Sequence, residues 1–185
     1  MYERVIFGDV GACRDLLMQG APMERDGRRS ALMEAVIKDH GGVARLLLEH
    51  GASVHTRDAE GQLPLHAACA AGNLDMVQLL LDHGADYKER GGEGQSALSY
   101  AAGGGHLSVV RLLLDRGAEA TAVDERGVTA LHLACVKGTD ELVRLLLDRG
   151  ADLTARDLGV GATPLHAAAE AGKVDVMALL LDRGA

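Results

Sequence analysis

The chain carries eight histidines, three cysteines and 27 carboxylates, the residue types from which a metal centre or an acid–base site is assembled. Their spacing argues against both. His66, His132 and His166 share one slot of a recurring segment. His50 and His83 share another, just ahead of a Gly-Ala pair, and His40 and His106 each open a second helix. Residues that share a slot stand a repeat step apart, and no Cys/His cluster has zinc-ligand spacing. Asp82, Asp115, Asp148 and Asp182 recur in the same way, each followed by a basic residue (His83, Arg116, Arg149, Arg183). Near a helix C-terminus the basic partner is the favoured one, so these carboxylates read as a solvated charged face. There is no Gly-x-Ser-x-Gly elbow and no His-Glu-x-x-His. Gly103-Gly104-Gly105 runs into His106-Leu107 rather than the Gly-Lys-Ser/Thr of a phosphate loop. The reading is of no catalytic residue, no metal ligand set and no cofactor.

The elements that impose this spacing are clearest over residues 58–90. Leu-Leu-Leu runs begin at Leu46, Leu79, Leu112, Leu145 and Leu179, in steps of 33, 33, 33 and 34 residues, and Gly-Ala pairs begin at Gly20, Gly51, Gly84, Gly117, Gly150 and Gly184. A fixed period of this size marks a stacked repeat protein. The segments are 1–24 (partial), 25–57, 58–90, 91–123, 124–156 and 157–185 (ending early), read as one continuous domain over 1–185. In the last of them Thr163 supplies an N-cap oxygen, Pro164 fits the first helical position, Leu165 is expected to point inward, and Ala167 and Ala168 let neighbouring helices approach closely. Gly172 ends this first helix in a left-handed conformation. A second helix runs from Val174 to Asp182 and ends at Gly184. Helices of about eight to ten residues do not persist alone in water, so adjacent units must cover one another.

Composition agrees. With no tryptophan, one Phe and three Tyr, the core must be built from Leu, Val and Ala. A net charge of −8 argues against nucleic acid, which needs a basic footprint, and against an anionic membrane. No apolar run approaches the length of a membrane span, and the first ten residues have no signal-peptide core. A cytoplasmic or nuclear, monomeric protein is expected. Cys69 and Cys135 fill one slot two repeats apart. With helices ~8–10 Å apart, that places them roughly 20 Å from each other, beyond disulfide reach, and both read as small buried hydrophobes.

Departures from the period are informative. Counting back puts Met1 where Leu65 sits, so the chain is expected to start inside a first helix. Asp39-His40-Gly41-Gly42 makes 25–57 a degenerate unit. Segment 91–123 has Gly91, Gly92 and Gly94 in its turn and Gly103, Gly104 and Gly105 at the end of its first helix. Each glycine inside a helix costs ~1 kcal/mol against alanine, so this unit is expected to have the lowest helix stability. Segment 157–185 has one extra residue in its turn, Asp157-Leu158-Gly159-Val160-Gly161. The shortened first and last units suggest a piece of a longer array.

These residues resemble the ankyrin repeat, whose unit is a β-turn and two antiparallel helices with a Thr-Pro-Leu-His-x-Ala motif. Thr163-Pro164-Leu165-His166-Ala167-Ala168 carries the motif whole. Leu63-Pro64-Leu65-His66 lacks the threonine and Thr129-Ala130-Leu131-His132 the proline, while Ser96-Ala97-Leu98-Ser99 and Ser30-Ala31-Leu32-Met33 are weaker copies. The resemblance implies an all-α ankyrin-repeat solenoid of helix-turn-helix units joined by β-hairpin-like loops. His66, His132 and His166 would be the family's structural histidine.

It also implies a non-catalytic scaffold that binds another protein through a concave groove of hairpin tips and first helices. Carried over position by position, the tips are Asp26, Gly27 and Arg29; Ala59, Glu60 and Gln62; Gly92, Glu93 and Gln95; Glu125, Arg126 and Val128; and Leu158, Val160 and Ala162. The first helices contribute Ile37, Lys38, Ala70, Ala71, Tyr100, Gly103, Gly104, Val136, Lys137, Glu170 and Ala171. Among the residue types that dominate binding hot spots, Arg29, Arg126 and Tyr100 stand out. The competing expectation is the ankyrin region of a larger enzyme, channel or ubiquitin-ligase adaptor, serving as a targeting or spacer module.

Overall fold

The computed structural model describes residues 1–23 and 29–185, and these form two compact units, Met1–Asp86 and Tyr87–Ala185. The first unit holds α1 (Tyr2–Ile6), α2 (Val10–Met18), α3 (Ala31–Ile37), α4 (Gly41–Glu49), α5 (Pro64–Ala71) and α6 (Leu74–Asp82). The second holds α7 (Ala97–Gly104), α8 (Leu107–Asp115), α9 (Ala130–Lys137), α10 (Asp140–Asp148), α11 (Pro164–Glu170) and α12 (Val174–Asp182). Each odd-numbered helix pairs with the even-numbered helix that follows it. Within the first unit α1, α3 and α5 stack as one layer and α2, α4 and α6 as another; within the second, α7, α9 and α11 stack against α8, α10 and α12. Among the described residues there is no β-strand, only an isolated antiparallel bridge between Val123 and Thr129.

Local chemistry explains the boundaries. Asp9, Ser30, Asn73, Ser96, Thr129 and Thr139 each accept a hydrogen bond from a backbone N–H of the first helical turn, satisfying a donor the helix leaves free. The Gly-Ala pairs close the second helices. Gly51 N–H donates to Leu48 and Ala52 N–H to Leu47, and the pattern returns at Gly84-Ala85, Gly117-Ala118, Gly150-Ala151 and Gly184-Ala185. This is the Schellman termination, which needs φ > 0 at the first residue of the pair.

The middle leucine of each run (Leu47, Leu80, Leu113, Leu146, Leu180) is fully buried between its two layers, with Leu32, Leu65, Leu98 and Leu131 as the inner-layer counterparts. Leu165 departs from the inward expectation: it is half-exposed, and His166 is exposed, whereas His66 and His132 are buried. His132 is covered by the turn that follows it, its Nε2 donating to the Ala162 carbonyl at 3.1 Å. Most helices have the expected length of eight or nine residues, with α12 over Val174–Asp182 as anticipated; α1, of five residues, and α3 and α11, of seven each, fall short.

The degenerate second repeat keeps the geometry by other means. Asp39 (φ +58°) takes the left-handed position that Gly72, Gly105 and Gly172 fill elsewhere. A carboxylate side chain tolerates that conformation better than most, through local hydrogen bonding, and Asp39 Oδ1 accepts from Asn73 Nδ2. His40 then anchors the turn across repeats, with Nε2 donating to the Ile6 carbonyl at 3.0 Å.

Candidate functional site

Three turns that precede first helices are built on one aspartate, Asp58, Asp124 or Asp157, while Gly91 holds that place in the turn before α7. In the first unit Asp58 Oδ1 accepts from the N–H groups of Glu60 (3.1 Å) and Gln62 (2.8 Å), and Asp58 N–H donates to the Gln62 carbonyl (2.9 Å). In the second, Asp124 Oδ1 accepts from Arg126 (2.9 Å) and Val128 (2.8 Å). The lengthened turn at Asp157 goes further. Its Oδ1 accepts from Gly159, Val160 and Gly161 at 3.0 Å each and from Ala162 at 3.3 Å. Desolvation pulls this carboxyl upward, but the N–H groups of Ala162, Val160, Gly161 and Gly159 outweigh it and hold it below the usual carboxylate value. The extra residue therefore enlarges the tip without loosening it.

An arginine just ahead of that position, Arg57, Arg90 or Arg156, braces the turn from outside. Arg57 Nη1 donates to the Gly61 carbonyl (2.7 Å), Arg90 Nη1 to Gly94 (3.3 Å) and Val123 (3.1 Å), and Arg156 Nη1 to Gly161 (3.0 Å). Sequence reasoning passed over this brace, although Arg57, Arg90 and Arg156 stand one and two periods apart. Val123 occupies the missing position and is half-exposed.

Within the second unit the three tips are joined edge to edge. Glu125 N–H donates to the Glu93 carbonyl (3.1 Å) and Leu158 N–H to the Arg126 carbonyl (2.8 Å). The approach is so close that a Cβ on Gly94 would stand 2.9 Å from Glu125 Cγ, and one on Gly127 would stand 3.1 Å from the Leu158 nitrogen. Between Gly92 and Gly94, Glu93 itself adopts φ +55°. Its carboxylate lies 3.4 Å from Arg126 Nη2, which also stands 3.6 Å from Asp124 Oδ2. That oxygen is buried with no hydrogen-bond partner among the described residues, so the guanidinium supplies its counter-charge.

Beside this line of tips opens a concavity of about 470 Å³, lined by Glu125, Arg126, Val128, Leu133, Asp157, Leu158 and Gly159. Leu158 is 76% exposed and Val160 91%.

Among the described residues the anticipated groove positions are accessible. Glu93, Glu125, Arg126, Leu158 and Val160 stand exposed on tips of the second unit, with Gln95 and Val128 half-buried among them. On the first helices of that unit Tyr100 is half-buried, and Lys137 and Glu170 are exposed. In the first unit Lys38 and Glu60 are exposed and Gln62 is half-buried; Arg29 is exposed, with Nε 3.9 Å from Asp58 Oδ2. Asp26 and Gly27 lie outside the described residues. The structure brings Glu125, Arg126, Val128 and Leu158 together around one concavity, to which Leu133, unanticipated, adds a wall. A larger concavity of about 710 Å³ lies elsewhere in the first unit, where Asp39, Gly42, Asn73 and Asp75 surround the starts of α4 and α6; of the anticipated groove positions Ala71 lines it.

The remaining titratable groups have structural partners. His132 Nδ1 accepts from the Thr129 N–H (3.2 Å) and stands 2.8 Å from Thr129 Oγ1. His166 repeats this with Thr163 at 3.2 and 2.8 Å, so the Thr163 oxygen meets the imidazole. His50 and His83 turn Nδ1 onto the carbonyls of Leu46 and Leu79, each at 2.9 Å. The recurring aspartates pair across repeats rather than with the adjacent basic residue: Arg149 reaches Asp115 at 2.8 Å and Arg183 reaches Asp148 at 3.0 Å. Cys13, Cys69 and Cys135 are free and buried, and burial pushes the Cys69 and Cys135 thiols up to about 12. Among the described residues no three His, Cys, Asp or Glu side chains converge as metal ligands, and no helix is long and apolar enough to cross a membrane.

Comparison with known proteins agrees with this geometry. The chain is similar to protein phosphatase 1 regulatory subunit 27 of Homo sapiens and of Mus musculus, at 41% identity over 49 residues in each case. That stretch is 26% of this chain and 32% of the relative, so the chain matches about a third of the length of these curated relatives. The family model for ankyrin repeats in three copies matches residues 4–91 and again 88–157, and the single ankyrin repeat matches residues 160–185. With both helical layers, the braced turns and nearly the whole length accounted for, this chain belongs to the ankyrin-repeat family.

Proposed function

We propose that this protein is a non-catalytic scaffold that binds a partner protein through its hairpin tips and the exposed sides of its first helices. Ankyrin repeats suggest protein–protein interaction, and a regulatory-subunit relative fits a binding role. The observation that carries the finer reading is the tip line of the second unit. Glu93, Arg126 and Leu158 are held in register by backbone hydrogen bonds, and two aliphatic side chains project from a turn ordered by four N–H contacts to Asp157. A rigid, half-apolar edge gives up little conformational entropy on binding. The phosphatase named in the relatives' description is a candidate partner class, but the shared 49 residues span only part of those proteins, so the reading commits to an interaction module and to no particular enzyme.

The test is affinity capture from cell lysate. The full chain is compared with a variant carrying Glu60→Ala, Gln62→Ala, Glu125→Ala, Arg126→Ala and Lys137→Ala, after both show equal helicity and melting. A protein retained by the first and lost by the second is the expected result. Identical catches would remove this face from consideration.

A further inference from the structure

The chemistry of the tip cavity in the second unit narrows the partner, on the reading that this face binds protein. The floor is aliphatic, from Val128, Leu133 and Leu158. The rim carries Glu125 and Asp157, with Glu93 beside it on the neighbouring tip. Of the lining residues one is a cation, Arg126, and it is already shared between Glu93 at 3.4 Å and Asp124 at 3.6 Å; Arg156, outside the lining, is turned to the Gly161 carbonyl at 3.0 Å. Among the described residues Glu125 has no ion pair, and the hydrogen-bonded Asp157 stays ionised at neutral pH. The cavity therefore shows an incoming group an apolar wall under uncompensated negative charge, in a chain of net charge −8.

An acidic segment would meet repulsion that Arg126 cannot relieve without abandoning Asp124, whose Oδ2 is buried. A purely aliphatic segment would leave the carboxylates desolvated and unpaired, which is costly. A lysine or arginine satisfies both demands, since its methylene stem packs on apolar surface while the charged head remains at the polar rim. We infer that the cavity between the Glu125 and Leu158 tips is a docking subsite for a basic side chain, borne on a partner segment in which lysine or arginine neighbours an aliphatic residue. Arg126 is a positioning residue in this arrangement: it neutralises Asp124 and Glu93 and leaves Glu125 and Asp157 to the partner.

The experiment is selection of a random peptide library, displayed on phage, against the full chain, followed by binding of the enriched peptides at low and high salt. Peptides rich in Lys or Arg next to Leu, Ile or Val are expected. They should shift the amide resonances of Val128 and Leu158, weaken as salt rises, and lose roughly tenfold in affinity, the size of one charge-assisted contact, in Glu125→Gln. The change is an isosteric one on an exposed side chain, so folding is not at issue. Leu158→Ser, also exposed, should lose affinity with less change in salt dependence. Enriched peptides that are acidic or uncharged, yet still shift tip residues, would overturn the basic-segment inference while leaving the binding face in place. Peptides that bind Glu125→Gln, Leu158→Ser and the five-residue Ala variant as well as the parent would overturn both. Failure to enrich any basic peptide would count equally against the inference.

Discussion

His132 Nε2 donates to the carbonyl of Ala162, 3.1 Å away and 30 residues further along the chain. The same ring accepts the Thr129 N–H at Nδ1, which fixes the neutral tautomer protonated at Nε2. One imidazole thus caps its own helix and pins the next turn. His166 makes the first contact and, among the described residues, not the second, and it is exposed.

The two histidines should therefore differ in stability cost. His132→Ala leaves the buried Thr129 N–H without its partner and takes one of two donors from the Ala162 carbonyl, which keeps the Asp157 N–H at 3.0 Å, and is expected to cost about 1–3 kcal/mol. His166→Ala, at an exposed end of the motif, is expected to cost under about 1 kcal/mol. Urea unfolding followed by circular dichroism decides it, and equal midpoints for the two variants would contradict this account.

Two glycines at the ends of first helices should respond in opposite directions to alanine. A Cβ on Gly103 would meet only Leu133, at 3.7 and 3.8 Å, which is ordinary contact. Gly103→Ala should raise stability by about 0.5–1 kcal/mol through helix propensity. Gly138 has φ −70°, so handedness does not demand glycine there, yet a Cβ would fall 2.4 Å from the Ala134 carbonyl oxygen. Gly138→Ala should destabilise by about 1–3 kcal/mol through backbone displacement. Thermal melts of the two single variants measure both signs.

The glycine-rich repeat should open first. α7 forms over Ala97–Gly104, but Gly103 and Gly104 in its last turn weaken it by up to ~1 kcal/mol each relative to alanine. Amides of Leu98–Ala102 are expected to exchange faster than those of Leu131–Cys135 in native-state hydrogen exchange. Longer protection in α7 would show that packing has overridden propensity.

The buried thiols predict an alkaline weakness. Desolvation raises Cys69 and Cys135 to about 12 from an ordinary value of 9.0. For such groups the stabilising contribution is complete below the unfolded value and is lost as pH climbs toward the folded one, because only the unfolded chain releases the protons. Melting temperature should fall between pH 9 and pH 11, and the fall should shrink in the variant carrying Cys69→Ala and Cys135→Ala. At pH 8 both thiols should react with a disulfide reagent only as fast as the structure opens, since the thiolate is the nucleophile.

The sequence by itself determined the repeat, its length, the glycines that end the second helices and the bounds of the last helix, Val174–Asp182. Those features rest on local chemistry. An Asn or Ser oxygen reaches an N–H three residues ahead, a glycine after three leucines accepts the left-handed turn, and an apolar stripe recurs at helical spacing; each is legible within one unit. The anticipated groove positions follow for a related reason, since a periodic fold places equivalent positions on equivalent surfaces; Glu125, Arg126, Val128 and Leu158 line one cavity. What tertiary structure alone decided involves residues about a repeat apart whose partners no local rule selects. Arg149 passes over its neighbour Asp148 to pair with Asp115, because side chains at the ends of stacked helices face the adjoining repeat rather than their own. Arg126 is held between Glu93 and Asp124, and Leu133 faces the tip cavity. The extra residue at Asp157–Gly161 reads in sequence only as an irregular turn; four N–H groups converging on one carboxylate oxygen make it an ordered one. Those relationships depend on the stagger between repeats to within an ångström or two, a distance fixed by packing.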